Sequence, residues 1–310
     1  MLLLSFCILL FTHPVLASEG CTAGLILWYQ AVLPSLLPFL FLSDLMVHTG
    51  LFQYLNRLCA PLFKRLFRIP EEGCYVVLMG FLCGFPMGAK VTGDLVRKGA
   101  LSKEEGTYLL GFCNNVSPAF FLNYICVYIL GYRQIPLLLP VCFYLLPVLY
   151  GILTRPFYHF PYEQDIYEKK QTPMKKITFS VLDVCMMDSF ATITRIGGYI
   201  ILFSICSRML QLLPLPVMLR LPLEAILEIS CGTQTVSHFF QHMYPVRLAA
   251  VCSCASFGGL CIFAQTRSVL SDTKIRMRAF TAGRLILALL SFLLLLLLQQ
   301  MFPVPVPDGY

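Results

Sequence analysis

Two stretches rich in glycine and polar residues interrupt hydrophobic segments of this 310-residue chain. Positions 80–90 read GFLCGFPMGAK, and positions 228–235 read EISCGTQT. A break in a helix leaves backbone amides and carbonyls without intrahelical partners, and an unpaired group is costly in hydrocarbon. We therefore expect both breaks to line a polar cavity or to bind a ligand.

The first break has the residue types that bind an anion. Its glycines allow close backbone approach, its proline ends the first half-helix, and the second half-helix begins near Met87 with free N–H groups. A helix N-terminus carries roughly half a positive charge and favours an anion, and a lysine follows within about one turn. The predicted cargo-binding residues of this break are Gly84, Phe85, Pro86, Gly88 and Lys90.

The second break supplies a flexible turn and hydrogen-bonding side chains. Gly232, Thr233 and Gln234 are predicted to line the same site. Glu224 and Glu228 lie one helical turn apart on the preceding arm. Because an acid at membrane depth is costly unless paired or hydrated, both are candidates for coupling to a proton or cation.

For Glu224, a surface position beside Arg220 is the alternative. Asn114 and Asn115 either line the same cavity or cap the helix that follows the first break. Arg195 is expected near one end of its helix, where it either faces the cavity as a coupling residue or extends to the membrane interface.

The composition indicates that these residues lie among membrane-spanning helices. Hydrophobic residues make up 58% of the chain and charged residues 13%, and apolar runs of about 17 to 25 residues recur throughout. The pattern predicts an all-α, polytopic membrane protein with about seven spanning helices. The longest polar stretch, at 155–178, is too short for a separate catalytic domain.

The sequence favours neither an enzyme nor a nucleic-acid-binding protein. Positions 88–91 lack the ending of a phosphate-binding loop, and His238 and His242 lack the glutamate of a metalloprotease helix. The net charge of +7 resides in short loops, where it orients the chain in the membrane. We expect no metal, no cofactor and no nucleic acid, and we expect most of the 14 cysteines, which lie in apolar segments, to be reduced.

Loop charges indicate that both breaks are re-entrant hairpins. If each hairpin returns to its own side and the N-terminus and loop 155–178 are cytoplasmic, 18 basic loop residues lie inside and 4 outside. If both segments cross the bilayer, the counts become 10 and 12. Basic residues concentrate on the cytoplasmic side, so the hairpin arrangement is favoured.

This topology divides the chain into two inverted repeats with flanking helices. An amphipathic helix with Arg57, Lys64 and Arg65 on its polar side is predicted at 51–67, at the membrane interface. The predicted parts are 1–30, a first membrane helix or a cleaved signal; 31–132, the first repeat with its hairpin near 74–98; 133–180, a spanning helix and basic loop; 181–266, the second repeat with its hairpin near 217–242; and 267–310, a basic loop and last helix.

Several motifs resemble those of a known family. They are Ser35–Phe39, the Gly80–Lys90 run, Thr92–Gly93, and Asn114–Asn115 with Pro118. In these the chain resembles the YlbJ family of sporulation integral membrane proteins, within the Gate or nucleoside-recognition group. The resemblance implies a bacterial membrane protein of endospore-forming Firmicutes, placed in the outer forespore membrane and associated with movement of dipicolinic acid.

Three functions follow from these patterns. The first is a secondary carrier of a small anionic metabolite, for which the resemblance suggests dipicolinic acid. The second is a nucleoside carrier, and the third is a non-transporting membrane scaffold for spore formation. The expected partners are the lipid bilayer, the anionic metabolite, a coupling proton or cation and a second copy of the chain.

Overall fold

The computed structural model describes residues 2–159 and 176–301, and these residues fold into helices joined by short connections. The α-helices are α1 (Leu2–Thr12), α2 (Pro14–Leu27), α3 (Leu33–Thr49), α4 (Phe52–Phe67), α5 (Glu71–Cys83), α6 (Met87–Arg97), α7 (Lys103–Cys113), α8 (Leu138–Thr154), α9 (Phe179–Leu210), α10 (Val217–Leu227), α11 (Ile229–Phe239), α12 (Tyr244–Phe257), α13 (Gly259–Val269) and α14 (Met277–Met301). π-Helical turns occupy Trp28–Val32 and Phe120–Ile129, and a short 3₁₀ turn occupies Arg155–Phe157. Most of the predicted loop 155–178 lies outside the described residues.

Within the described ranges, five helical runs are long and apolar enough to cross a membrane. They are Pro14–Thr49, Leu138–Phe157, Phe179–Leu210, Tyr244–Val269 and Met277–Met301, and Phe120–Ile129 is a shorter apolar helix. The prediction of an all-α membrane protein is confirmed, whereas the count of about seven spanning helices is not. The helical run Pro14–Thr49 continues through the expected boundary near residue 30, with a π-helical turn at Trp28–Val32, and the division into parts stays a prediction.

The predicted amphipathic segment forms α4, a helix with one buried face. Phe52, Asn56 and Ala60 recur at intervals of four residues on the buried side, whereas Arg57 and Arg65 are exposed. The buried face packs against α5. A position at the membrane interface remains a prediction for this helix.

The chain reverses direction at both predicted breaks. In the second hairpin a Cβ built on Gly232 would lie 2.7 Å from the Cα of Ala225, and Thr235 Oγ1 donates to Glu224 Oε2 at 2.6 Å. In the first, α5 packs along α6, and Gly80 and Gly88 both abut the Cys113 carbonyl. We call α5–α6 the first hairpin and α10–α11 the second; entry of either from one membrane face remains a prediction.

The order of elements repeats along the chain. A long helical run, a helical hairpin and a broken helix occur once over α2 to Phe120–Ile129 and again over α9 to α13. The two long runs pack antiparallel, since Gly20 meets Ile205, Gly24 meets Ile201 and the Trp28 indole N–H donates to the Ile193 carbonyl. This contact is the arrangement expected of inverted repeats.

The last helix closes the bundle beside both broken helices. α14 packs against α7, α8 and α12. It therefore lies next to the two places where the backbone leaves helical geometry after α7 and after α12.

Candidate functional site

The tip of the first hairpin is fixed by a glycine that no other residue can replace without strain. Gly84 ends α5 with φ +75°, a value that L side chains rarely adopt. A Cβ at this position would also collide with the backbone of Ser117. The tip is thus seated directly against the break between α7 and the π helix, where residues 114–117 are not helical.

The tip of the second hairpin is fixed by an acidic side chain. Glu228 is extended, and its carboxylate accepts hydrogen bonds from the backbone N–H groups of Ser230 and Cys231, both at 2.9 Å. It therefore caps α11, a favourable place for a negative charge. A Cβ built on Gly259 would lie 3.2 Å from the Cα of Glu228, so this tip lies against the break between α12 and α13.

Both tips and the break after α7 line one cavity of about 80 Å³, and the first turn of α13, which follows the break after α12, also lines it. Its lining is mostly apolar, and its polar groups come from the tips, the break after α7 and α13. The hydroxyl of Ser230 is buried there without a hydrogen-bond partner. The lining residues are Leu27, Val32, Leu36, Cys83, Phe85, Val116, Ser117, Phe120, Ile196, Ile200, Glu228, Ile229, Ser230, Cys261, Ile262 and Gln265.

The two asparagines after α7 tie the first break to the rest of the molecule. Asn114 Oδ1 accepts from the Ala89 N–H in the first turn of α6 at 3.3 Å, and its Nδ2 donates to Thr266 Oγ1 on α13 at 3.1 Å. Asn115 donates to the Phe112 carbonyl and accepts from Arg284. Neither asparagine lines the cavity. Both connect the break after α7 to the helices that surround the cavity.

Lys90 lies in an ion-pair cluster beside the first hairpin. Only 7% of the residue is exposed, and its Nζ donates to Asp44 on α3 and to Asp94 Oδ2, the latter at 2.9 Å. Ser189 on α9 donates to the other oxygen of Asp44 at 2.9 Å. The expected free cation beside the cavity is therefore not seen, because two carboxylates already neutralise it; a role in cargo binding stays a prediction.

The remaining predicted residues are dispersed around the second hairpin and α9. Arg220 Nε lies 3.6 Å from Glu224 Oε1, as the alternative given above expected, but Glu224 is buried and not at the surface. Glu224 and the exposed Gln234 line a second, more open cavity of about 280 Å³. Gly232 and Thr233 are buried within α11, so the turn expected at Gly232 lies at Glu228 instead, where the side chain can cap the new helix.

Arg195 differs from its expected position. It lies in the middle of α9, not near an end, and its side chain is exposed and outside the cavity lining. The reason is that α9 begins at Phe179, well before the expected start at Thr192, and extends over 32 residues. The acidic residues in its first half do not interrupt the helix.

Two buried charged residues were missed by the sequence reasoning. Asp44 lies in an apolar segment. An isolated acid in such a segment often marks a functional site, and the sequence alone shows it. Arg284 was counted among loop charges, but it lies inside α14 and is 1% exposed. Its proximity to Arg276 and Arg278 made it resemble part of a basic loop.

Two comparisons with known proteins find matches to this chain. Residues 30–155 match the family model described as Gate, nucleoside recognition, a range that includes the whole first hairpin. The chain is similar to the sporulation integral membrane protein YlbJ of Bacillus subtilis strain 168. The two are 28% identical over an alignment of 324 positions, which covers 93% of this chain and 79% of that protein. No solved structure matches it significantly. The resemblance drawn from its motifs is thereby confirmed, and this similarity together with the apolar helices indicates an integral membrane protein.

Proposed function

We propose that this chain is a secondary carrier that moves a small organic anion across a membrane by alternating access. The observation that carries the proposal is that both hairpin tips and the break after α7 line one cavity, with the break after α12 packed against both tips. At membrane depth, non-helical backbone is tolerated where it is buried in protein or lines a cavity, and carriers use broken helices to bind cargo. The antiparallel contact of the two long helical runs supports a division into two related halves. In the proposed cycle these halves move relative to each other around the cavity.

Each half-helix N-terminus at the tips already has an internal acceptor. Asn114 accepts a hydrogen bond from one backbone N–H of α6, and Glu228 accepts hydrogen bonds from two backbone N–H groups of α11. A carboxylate cargo would replace these acceptors one side at a time, which links cargo binding to movement of the tips. Within this scheme Glu228 is the coupling residue, because protonation of its carboxylate would weaken the hydrogen bonds that it accepts from the N-terminus of α11.

The similarity to YlbJ extends the proposal to sporulation. The carrier would then act in the outer forespore membrane, and dipicolinate would be its cargo, as the family resemblance implies. Dipicolinate carries two carboxylates on a flat ring, and the cavity is lined largely by apolar side chains with a few polar groups at the tips. The flat ring would contact the apolar lining, and entry of the carboxylates would require Glu228, the charged residue of the lining, to be protonated or displaced.

The test is uptake of labelled dipicolinate into liposomes that contain the purified protein. A labelled nucleoside serves as the competing cargo, and protein-free liposomes give the background. Uptake of dipicolinate above background, and not of the nucleoside, supports the proposal. Uptake of the nucleoside alone would favour the second function, and uptake of neither by folded protein would favour the scaffold.

A further inference from the structure

Arg284 is a buried cation without a carboxylate partner among the described residues. It lies in the first half of α14 and is 1% exposed. Its Nη2 donates to Asn115 Oδ1 at 2.9 Å and its Nη1 to the Ser256 carbonyl at 3.3 Å, both neutral acceptors. Its Nε has no hydrogen-bond partner.

This setting leaves a positive charge uncompensated. A guanidinium does not lose its proton in proteins, and removal of a charge from water carries a large penalty unless an opposite charge is near. Lys90, which is also buried, meets two carboxylates. The rings of Phe85 and Phe280, each 5.7 Å from the Arg284 Cζ, offset only part of the penalty.

The same arginine lies next to the wall of the central cavity. Phe85 lines that cavity and also stacks its ring near the guanidinium. Asn115 and Ser256, which accept from Arg284, lie at the breaks after α7 and at the end of α12. If the tip of the first hairpin moved and displaced Phe85, the Arg284 guanidinium would therefore become exposed to the cavity.

We propose that Arg284 binds the carboxylate of the transported anion once Phe85 has moved aside, an inference that rests on the proposed carrier function. A guanidinium binds a carboxylate through two parallel N–H donors, and here the vacant Nε with the adjacent Nη2 supplies such an edge. Asn115 would release its hydrogen bond as cargo arrives. Arg284 then both selects the charge of the cargo and senses the position of the tip.

The test compares Arg284→Gln and Arg284→Lys with wild type in two assays. One is uptake of labelled dipicolinate, benzoate or succinate into liposomes, and the other is the rise in thermal unfolding temperature of detergent-solubilised protein with the same anions. Arg278→Gln is the matched control, since Arg278 is exposed on the same helix. We expect Arg284→Gln to weaken anion binding at least tenfold, Arg284→Lys to weaken it less, and the control to match wild type.

The outcomes separate this inference from the proposed function. If wild type binds and carries an anion and folded Arg284→Gln does so equally well, Arg284 is not the ligand although the protein is a carrier. If wild type neither binds nor carries any of these anions, the carrier function itself fails, and this inference with it.

A measurement on wild type covers the case in which the variants do not fold. Phenylglyoxal modifies arginine side chains, and mass spectrometry reports the modification of Arg284 relative to Arg278 in the same sample. We expect a bound anion to slow modification of Arg284 several-fold without affecting Arg278. An unchanged ratio at an anion concentration that stabilises the protein would overturn the proposal.

Discussion

Lys90 on α6 and Asp44 on α3 form a buried ion pair that joins the first hairpin to the long helix of the first repeat. Asp94 contacts Lys90 from one side, and Ser189 on α9 contacts Asp44 from the other. Arg97 extends the cluster by bridging Asp94 and Asp272. One polar cluster therefore connects the first hairpin to both long helical runs.

Removal of Lys90 alone should destabilise the protein strongly. Lys90→Ala leaves Asp44 buried and unpaired, and loss of one partner of a buried ion pair costs about 3–5 kcal/mol. The double variant Asp44→Asn with Lys90→Met removes both charges and should cost much less. Thermal unfolding in detergent measures both, with the exposed Lys103→Ala as control.

The same double variant tests whether Lys90 binds cargo. If it folds and still takes up the anion, Lys90 is structural and the cargo ligand lies elsewhere. A single variant that unfolds no earlier than the double variant would contradict the ion-pair argument.

Gly84 should tolerate substitution less well than another glycine with a similar φ, because its ψ of −162° is also a value that only glycine adopts readily at this φ. Gly84 and Gly99 have φ +75° and +70°, but a Cβ on Gly84 meets Ser117, whereas one on Gly99 meets nothing within 4 Å. Gly99→Ala should cost about 1–2 kcal/mol from the left-handed backbone alone. Gly84→Ala should cost about 1–3 kcal/mol more from overpacking, and equal unfolding temperatures for the two variants would contradict the close seating of the tip.

The local features of the site could be predicted from sequence, and the long-range ones could not. Glycine and proline punctuate helices through their own backbone limits, so Gly84 and Pro86 marked the first hairpin. Gly232 marked the second only to within a few residues, because the chain turns at Glu228 and Gly232 lies inside α11. Glu228 stood out because an acid in an apolar run is costly. Each of these signals lies within a few residues of the feature that it marks.

Partners distant in sequence left no such signal. Asp44 is 46 positions from Lys90, and Asn115 is 169 positions from Arg284. A lysine near a helix N-terminus looks the same in sequence whether a carboxylate from another helix neutralises it or not. The setting of Lys90 and the burial of Arg284 therefore required the packed structure.

Glu228→Gln should remove coupling while preserving the fold. The amide oxygen of glutamine can still accept a hydrogen bond from the start of α11, but the side chain can no longer bind or release a proton. Wild-type uptake should rise when a pH gradient is imposed across the liposome membrane, and uptake by Glu228→Gln should be the same with and without the gradient. Glu104→Gln, at an exposed position in the first turn of α7, is the control. A gradient response retained by Glu228→Gln would assign coupling to another residue.

Trypsin should reveal whether the first hairpin returns to the side from which it enters. Arg65 precedes the hairpin, Lys103 follows it, and both are exposed. Because the charge distribution places both on the cytoplasmic side, trypsin should cut at both in inside-out vesicles and at neither in right-side-out vesicles. Exposed Arg133, predicted on the opposite side, should show the reverse pattern and is the internal control. Cleavage at Arg65 and Lys103 from opposite sides would mean that α5 and α6 cross the bilayer, and the inverted-repeat topology would then have to be abandoned.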